Sequence, residues 1–488
     1  MQLFELILVL SIIIIVPFRS IWKRYLGDKS QFIISSVFVL LLLLHFLLDG
    51  YRWQMIPIYL AMIAYLVVMI AFKDKGFNRA LKFSGYFFFA LSVIIGNTLS
   101  FLLPVFELPE PTGSYGIGTA NLYLKLDRDE PITGDPNDRR ELDVKVWYPS
   151  NIKEGEEDSY IDKASREGFA IKYGLPSSSF NYLDRVNTGV YRSVKPVEGK
   201  FPVLIFSHGY HSKATGYYSI LKEIVSHGYV IFNINHTYES PGTTFPDGRS
   251  VYFHSGYARS IETPEEWGKI SEAVESFGNM NFEERHPLVR KALNEYFVAE
   301  MEERWSQDII EVIDQLEVWN KGGMLKGILD LNSIGVFGHS RGGGSSGVAI
   351  LKDDRIKAAS NIDGVQWGEI VDTIFQKPFL YISSDWPDGH QDLSSHAYIN
   401  KSTDFFYEAE LTNSGHSNFM DIPYMILIPQ LTGVGTIPKE RATNITNELL
   451  LAFFNKHLKN LEVDVSNIEK THEELGLEIF KGDSVRLE

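Results

Sequence analysis

The chain has no cysteine, which excludes disulfides, thiolate nucleophiles and Cys-ligated metal centres together. Basic charge is also short, with 46 Lys and Arg against 62 Asp and Glu in 488 residues, a formal −16. The deficit is uneven. Residues 1–105 carry nine Lys/Arg against four Asp/Glu, a balance of +5 that leaves −21 for the remainder. So acidic a remainder repels nucleic acid and anionic headgroups at low salt, so no nucleic-acid partner is expected and uncharged or zwitterionic substrates are favoured. Beyond residue 107 there is no long apolar run either. That part has the Gly- and Pro-punctuated composition of a large globular domain, long enough to build its own core without disulfides.

Long apolar runs are confined to the first quarter, at residues 3–18, 32–48, 53–72 and 83–106. Each is near the length that crosses about 30 Å of hydrocarbon as a helix, so four spans and a multi-pass cell-membrane protein are expected. The first run lacks the basic start and small-residue exit of a cleaved leader. Lys and Arg cluster after the first run (Arg19, Lys23, Arg24, Lys29) and after the third (Lys73, Lys75, Arg79, Lys82). Those loops are expected inside, which puts the turn at 49–52 and the chain after the fourth run outside the cytoplasm. Glu5, His45 and Asn97 read as too few and too scattered for a transport path, so anchoring is the expected role. The domain boundaries read as 1–105 for this region, 106–460 for the globular domain and 461–488 for a charged, peripheral tail.

In the globular part, apolar alternation marks strands at 120–126 and 142–148, expected as an antiparallel edge. Continuous apolar runs at 203–206, 229–235, 334–337, 356–362, 378–382 and 405–411 fit strands buried on both faces, with helical patterns between them. This alternation predicts a doubly wound α/β sheet of about eight strands. Residues 239–300 are too many for one crossover and are expected to form a lid insertion. Trp305, Ile309, Val312, Ile313 and Leu316 then lie on one stripe of a returning helix.

Gly338-His339-Ser340-Arg341-Gly342 falls between the buried strand at 334–337 and a small-residue helix. That is the strand-turn-helix setting in which a serine is forced into strained backbone angles and held above the sheet, so Ser340 is the expected nucleophile. Gly338 and Gly342 are expected where a Cβ would not fit. The Gly run is no phosphate loop, since no Lys follows it. A serine needs a base, and the order nucleophile, acid, histidine places it after the last strand, at His416 in Ser414-Gly415-His416-Ser417-Asn418-Phe419. His390 and His396 are rivals that precede that strand. Asp363 and Asp385 both end strands on the right edge, and position alone leaves the acid open between them, slightly favouring Asp385. The oxyanion donors are expected to be the backbone N–H groups of Arg341 and of Tyr210, in Ser207-His208-Gly209-Tyr210, with His208 bonded within its own loop.

The sequence resembles the plasma-type (isoform II) platelet-activating-factor acetylhydrolases and their bacterial relatives over roughly residues 115–425. The resemblance rests on Phe206-Ser207-His208-Gly209, Ser226-His227-Gly228-Tyr229, Gly338-His339-Ser340 and His416-Ser417-Asn418-Phe419, with Val146-Trp147-Tyr148-Pro149 and Asp314-Gln315-Leu316 in support. It implies an α/β-hydrolase fold, hydrolysis of short or oxidised acyl esters of phospholipids, and no metal or other cofactor. It also implies an aspartate on the strand directly after the nucleophile helix, hence Asp363, 23 residues beyond Ser340. The chain departs from the family in its apolar N-terminal runs, its longer insertion and Arg341, where the family often has an apolar residue. A lipid or small ester is therefore the expected substrate. Hydrolysis of polymer or glycan esters, or noncatalytic binding on the same fold, are the alternatives.

Overall fold

The computed structural model describes residues 2–71, 78–213, 215–368, 370–371, 373–385, 390–400, 405–428 and 432–481. The chain divides into two compact units.

The first unit comprises Met1–Glu107 with two later stretches, Ser179–Val186 and Tyr424–Ile428. Among the described residues, three helices are long and apolar enough to cross a membrane: Ser30–Leu48, Trp53–Ile70 and Arg79–Leu102. The first apolar run departs from expectation. Its helix, Leu3–Ile15, has 13 residues, roughly 20 Å at about 1.5 Å per residue, and Pro17 follows in the turn before helix Arg19–Leu26. Proline cannot donate to the preceding turn, so the apolar run is longer than its regular helix. Leu8, Ile12, Phe38, Met55, Ile58 and Met62 form the packed centre of this unit. Lys73 and Lys75 lie outside the described residues.

Of the polar residues expected to be scattered here, Glu5 and His45 both meet Asp49, while Asn97 bonds the Val93 carbonyl of its own helix at 3.0 Å. Arg52 donates through one nitrogen to both oxygens of Glu5 at 2.8 Å, with both side chains fully buried. The Glu5 N–H donates to Asp49 at 2.8 Å, and His45 Nε2 meets the Tyr59 hydroxyl at 2.6 Å. A buried charge needs such a partner to be tolerated at all.

The second unit is built on one ten-stranded sheet. Its strands are β1 (Gly116–Asp129), β2 (Arg139–Ser150), β3 (Val190–Arg192), β4 (Phe201–Ser207) and β5 (Val230–Asn235), followed by β8 (Leu329–His339), β9 (Ile356–Ile362), β10 (Phe379–Ser384), β11 (Phe405–Leu411) and β12 (Leu475–Lys481). β6 (Gly242–Thr244) and β7 (Ser250–Tyr252) form a separate hairpin. The spatial order is β12-β11-β10-β9-β8-β4-β5-β2-β1-β3. From β11 to β5 neighbours run parallel, while β2, β1 and β12 pair antiparallel with β5, β2 and β11 respectively. The fold is an α/β hydrolase.

Two strands exceed the sequence expectation. β3 has three residues, too few to show alternation, and it rather than β1 closes one edge. β12 closes the other edge, paired from Phe405↔Lys481 to Leu411↔Leu475, so the expected peripheral tail is part of the sheet as far as Lys481. Residues 482–488 lie outside the description.

The stripe on helix Phe297–Lys321 forms as expected, with Trp305, Ile309 and Val312 fully buried beneath the sheet. Residues 239–300 hold the β6–β7 hairpin and helices Ser255–Ile261, Pro264–Asn279 and Phe282–Glu295. Their starts are encoded locally. Thr263 caps the helix opened by Pro264, and Asn281 with Glu284 forms a capping box.

Strand order reverses between β4 and β8, whose register pairs Ser207 with Gly338. The carboxyl ends of these two strands flank a crevice, the usual place for a site in an open α/β sheet.

Candidate active site

Ser340 follows β8 directly and precedes helix Arg341–Lys352, with φ 58° and ψ −128°. Such angles are costly for a residue with a Cβ and persist only where the surroundings impose them. The surroundings are tight. A Cβ on Gly338 would stand 2.3 Å from the Gly342 carbonyl oxygen, and one on Gly342 would stand 2.2 Å from that of Ser207. The Ser340 N–H donates to the Ile362 carbonyl at 2.8 Å, tying the turn to the end of β9. Ser340 is half-buried in an otherwise closed turn.

Asp363, the next residue after β9, also has positive φ, 55°. That conformation turns its carboxylate across the sheet edge. Oδ1 accepts from the Ser384 N–H at 2.6 Å, and Oδ2 accepts from the Ser384 hydroxyl at 3.0 Å and meets His416 Nδ1 at 2.7 Å. Asp363 is buried, while His416 keeps 30 % of its side chain exposed at the start of a short 3-10 turn after β11. With Nδ1 held by a carboxylate, the ring leaves Nε2 for proton transfer. Asp385 is placed elsewhere: it is exposed and caps the turn after β11 by accepting from the Asn413 N–H at 3.1 Å.

The loop after β4 approaches the serine closely. A Cβ on Gly209 would lie 3.4 Å from the Ser340 Cβ, and the Gly209 N–H donates to the Tyr217 hydroxyl at 3.0 Å. Neither the Tyr210 nor the Arg341 backbone N–H has a hydrogen-bond partner among the described residues. His208 Nδ1 donates to the Gly209 carbonyl at 2.7 Å, and Nε2 accepts the His236 N–H at 3.2 Å. Burial, with His236 nearby, drives the His208 pKa well down, so the ring is neutral and structural. His396 is buried against His286, and the side chain of His390 lies outside the described residues.

Three participants were not legible in the sequence: His339, the Tyr217 hydroxyl and a buried chain of polar side chains. His339 stacks beside His416, ring centroids 4.4 Å apart, bonding Tyr217 through Nδ1 at 3.0 Å and the His416 carbonyl through Nε2 at 3.1 Å. Burial, then the nearby His416, pushes its pKa well down. Ligand atoms of His339, Asp363 and His416 lie within 4.8 Å of one another. Since both His339 nitrogens and His416 Nδ1 are already bonded, the group is saturated as a hydrogen-bond chain before any cation is considered.

The third, beneath the crevice, is a second Ser-His-Asp chain. Ser207 Oγ lies 2.8 Å from His236 Nε2, and His236 Nδ1 lies 2.7 Å from Asp308 Oδ2. All three side chains are fully buried. Asp308 also accepts from Arg140 at 3.1 and 2.6 Å, and Arg140 bonds Glu130 at 2.9 Å. Burial alone would raise the Asp308 pKa, but Arg140 and His236 together hold it far below the carboxylate range. Removing one member of such a network strands a buried charge. Asp308→Asn is expected to destabilise the protein by about 3–5 kcal/mol, read from urea denaturation in detergent; a loss below about 1 kcal/mol would show that the network is not structural.

Fold and crevice together define an α/β hydrolase with a serine, a histidine and an aspartate gathered at the carboxyl edge of its sheet. Residues 105–479 match the profile of platelet-activating factor acetylhydrolase, isoform II, and the chain belongs to that family of carboxylic-ester hydrolases. It is 27% identical to a platelet-activating factor acetylhydrolase of Cavia porcellus, over 72% of this chain and 78% of that protein. It is also 24% identical to a probable 1-alkyl-2-acetylglycerophosphocholine esterase of Arthroderma benhamiae, over 58% of this chain and 65% of that one. Among solved structures, a ferulic acid esterase from Streptomyces cinnamoneus superposes with a TM-score of 0.59 at 22% identity, covering 77% of this chain and 99% of the other, a likeness of fold.

Proposed function

We propose that the chain is a membrane-anchored serine esterase acting on short-acyl, lipid-like esters through an acyl-enzyme. His416 Nε2 takes the Ser340 hydroxyl proton as Oγ attacks the ester carbonyl, and Asp363 stabilises the imidazolium that forms. The N–H groups of Tyr210 and Arg341 receive the oxyanion. His416 then gives its proton to the leaving alkoxide, and a water activated by the same imidazole hydrolyses the acyl-serine. The observation that carries this reading is the strained, half-buried Ser340 in the turn whose His339 ring lies 4.4 Å from that of His416, itself held at 2.7 Å by a buried carboxylate. The short-acyl preference is supported by the similarity to an acetylhydrolase and to a probable 1-alkyl-2-acetylglycerophosphocholine esterase.

The proposed domain plan is an apolar anchor at 1–105 and a catalytic domain from 106, with residues 239–300 as its lid and the C-terminal segment as far as Lys481 as its edge strand. The three long apolar helices support the anchor, and the cationic residues before Ser30 and after Asn78 support an extracytoplasmic catalytic domain. On intact cells, short-chain phospholipid supplied outside is expected to be hydrolysed faster than long-chain phospholipid, and added protease is expected to abolish that activity. Full protection from protease would reverse the topology. A preference for polymer or glycan esters would replace the lipid-like substrate.

A further inference from the structure

Arg341 directly follows the proposed nucleophile, and its environment is unusual for an arginine. The side chain is half-buried directly beside Ser340. Its Cζ lies 3.9 Å from the centroid of the Tyr210 ring and 5.4 Å from that of Phe297. One Nη contacts the Met301 sulfur at 3.3 Å. Among the described residues no carboxylate lies within ion-pair distance of it, although the domain carries many more acids than bases. Glu302, its neighbour on helix Phe297–Lys321, faces the other way: it accepts from the Trp367 N–H at 3.1 Å and packs so closely on Gly344 that a Cβ there would meet Oε1 at 1.9 Å. Burial pushes the Glu302 carboxyl well up, against the opposing pull of the Trp367 N–H and of the Arg341 guanidinium.

A guanidinium offers five N–H donors in a rigid fork suited to carboxylate or phosphate oxygens. Here two aromatic rings lie within cation-π distance and one Nη donates to a thioether, so the guanidinium is positioned without a charged partner. Tyr210, on whose ring it rests, is also the residue whose N–H is proposed for the oxyanion. The cation is thereby held next to the place where the scissile carbonyl would sit.

Resting on the esterase reading above, we infer that Arg341 is a specificity-determining residue that binds an anionic group, carboxylate or phosphate, carried by the ester substrate close to the scissile bond. The low overall positive charge favours uncharged or zwitterionic substrates at long range, whereas this single cation selects at short range. A zwitterion with an anionic group near its ester satisfies both.

The test uses the full-length enzyme in detergent with two matched pairs of esters. One pair, 4-nitrophenyl hemisuccinate against 4-nitrophenyl butyrate, places the charge on the acyl side. The other, acetylated glycerol 3-phosphate against monoacetylglycerol, places it on the alcohol side. Wild type is expected to favour the anionic member of one pair in kcat/KM by about tenfold or more, and the pair that responds identifies the side. Arg341→Gln and Arg341→Leu are expected to lower that ratio by roughly 10- to 100-fold, the range of a charge-assisted hydrogen bond, with Arg341→Lys retaining part of it. The backbone N–H survives all three changes, and the neutral ester is the internal reference. Wild-type preference for the neutral member of both pairs, or an unchanged ratio in active variants, overturns the inference; wild-type preference decides alone where variants do not fold. Hydrolysis of all four esters surviving in Ser340→Ala would instead refute the underlying serine mechanism.

Discussion

Ser340→Ala is expected to abolish covalent labelling by a fluorophosphonate probe and to lower ester hydrolysis on the order of 10⁴- to 10⁶-fold, with no change in thermal unfolding beyond a degree or two. The size follows from the role: in a nucleophile-base-acid unit, loss of the nucleophile removes nearly all the covalent route and leaves only binding and oxyanion stabilisation. Mild structural cost follows from the site. Ser340 holds strained angles at φ 58°, imposed by the contacts of Gly338 and Gly342 rather than by its own hydroxyl, so the alanine inherits the same turn. Labelling that persists in the variant, with the protein folded, would move the nucleophile to another residue.

Asp363→Asn is the second large effect, expected to reduce kcat by about 10⁴-fold while Asp385→Asn leaves it near wild type. Asparagine can donate as well as accept, so His416 is no longer held with its Nδ1 protonated, and the imidazolium loses the buried charge that stabilises it. Three groups meet the Asp363 carboxylate at 2.6–3.0 Å, the Ser384 N–H and hydroxyl and the His416 ring. Asp385 instead accepts from the Asn413 N–H on the exposed surface, and its replacement perturbs a turn. Steady-state kinetics on 4-nitrophenyl acetate separates the two. A larger loss from Asp385→Asn would transfer the acid's role to it.

The contrast between these aspartates shows where sequence reading ends. Both follow parallel strands on neighbouring positions, and strand periodicity says only that each reaches the carboxyl edge. What separates them is one backbone angle, φ 55° at Asp363, which redirects the carboxylate towards His416. The residues alone left that choice open, and the family resemblance favoured Asp363. The elbow was legible because its neighbours write it out: an apolar strand, two glycines where Cβ atoms would meet carbonyl oxygens at 2.2–2.3 Å, and a helix of small residues.

Elements defined by distant contacts were not legible in that way. Glu5 read as an isolated polar residue in the first apolar run and Arg52 as part of an outward turn, 47 positions away, yet they form one buried pair. His339 carries no role in the pentapeptide pattern, and its bond to Tyr217 spans 122 positions. β12 was hidden by the charge of its surroundings; its pairing with β11 comes from backbone hydrogen bonds, which composition does not reveal. The first apolar run was over-read because apolar length was counted past Pro17, where the regular helix has already ended.

The buried chain Ser207–His236–Asp308 gives this domain a built-in decoy. Measured by residue types and bond lengths, 2.8 and 2.7 Å, it matches what a template search for hydrolytic triads would seek, yet no ester can reach it and Ser207 sits in ordinary strand. The two constellations differ in access to solvent, in the backbone at the serine and in the group that holds the acid, Arg140 on Asp308 against Ser384 on Asp363. A chemist probing the protein with an acylating reagent therefore has a matched reference in the same polypeptide: modification confined to Ser340 reports accessibility and strain, the two quantities that residue identity alone does not carry.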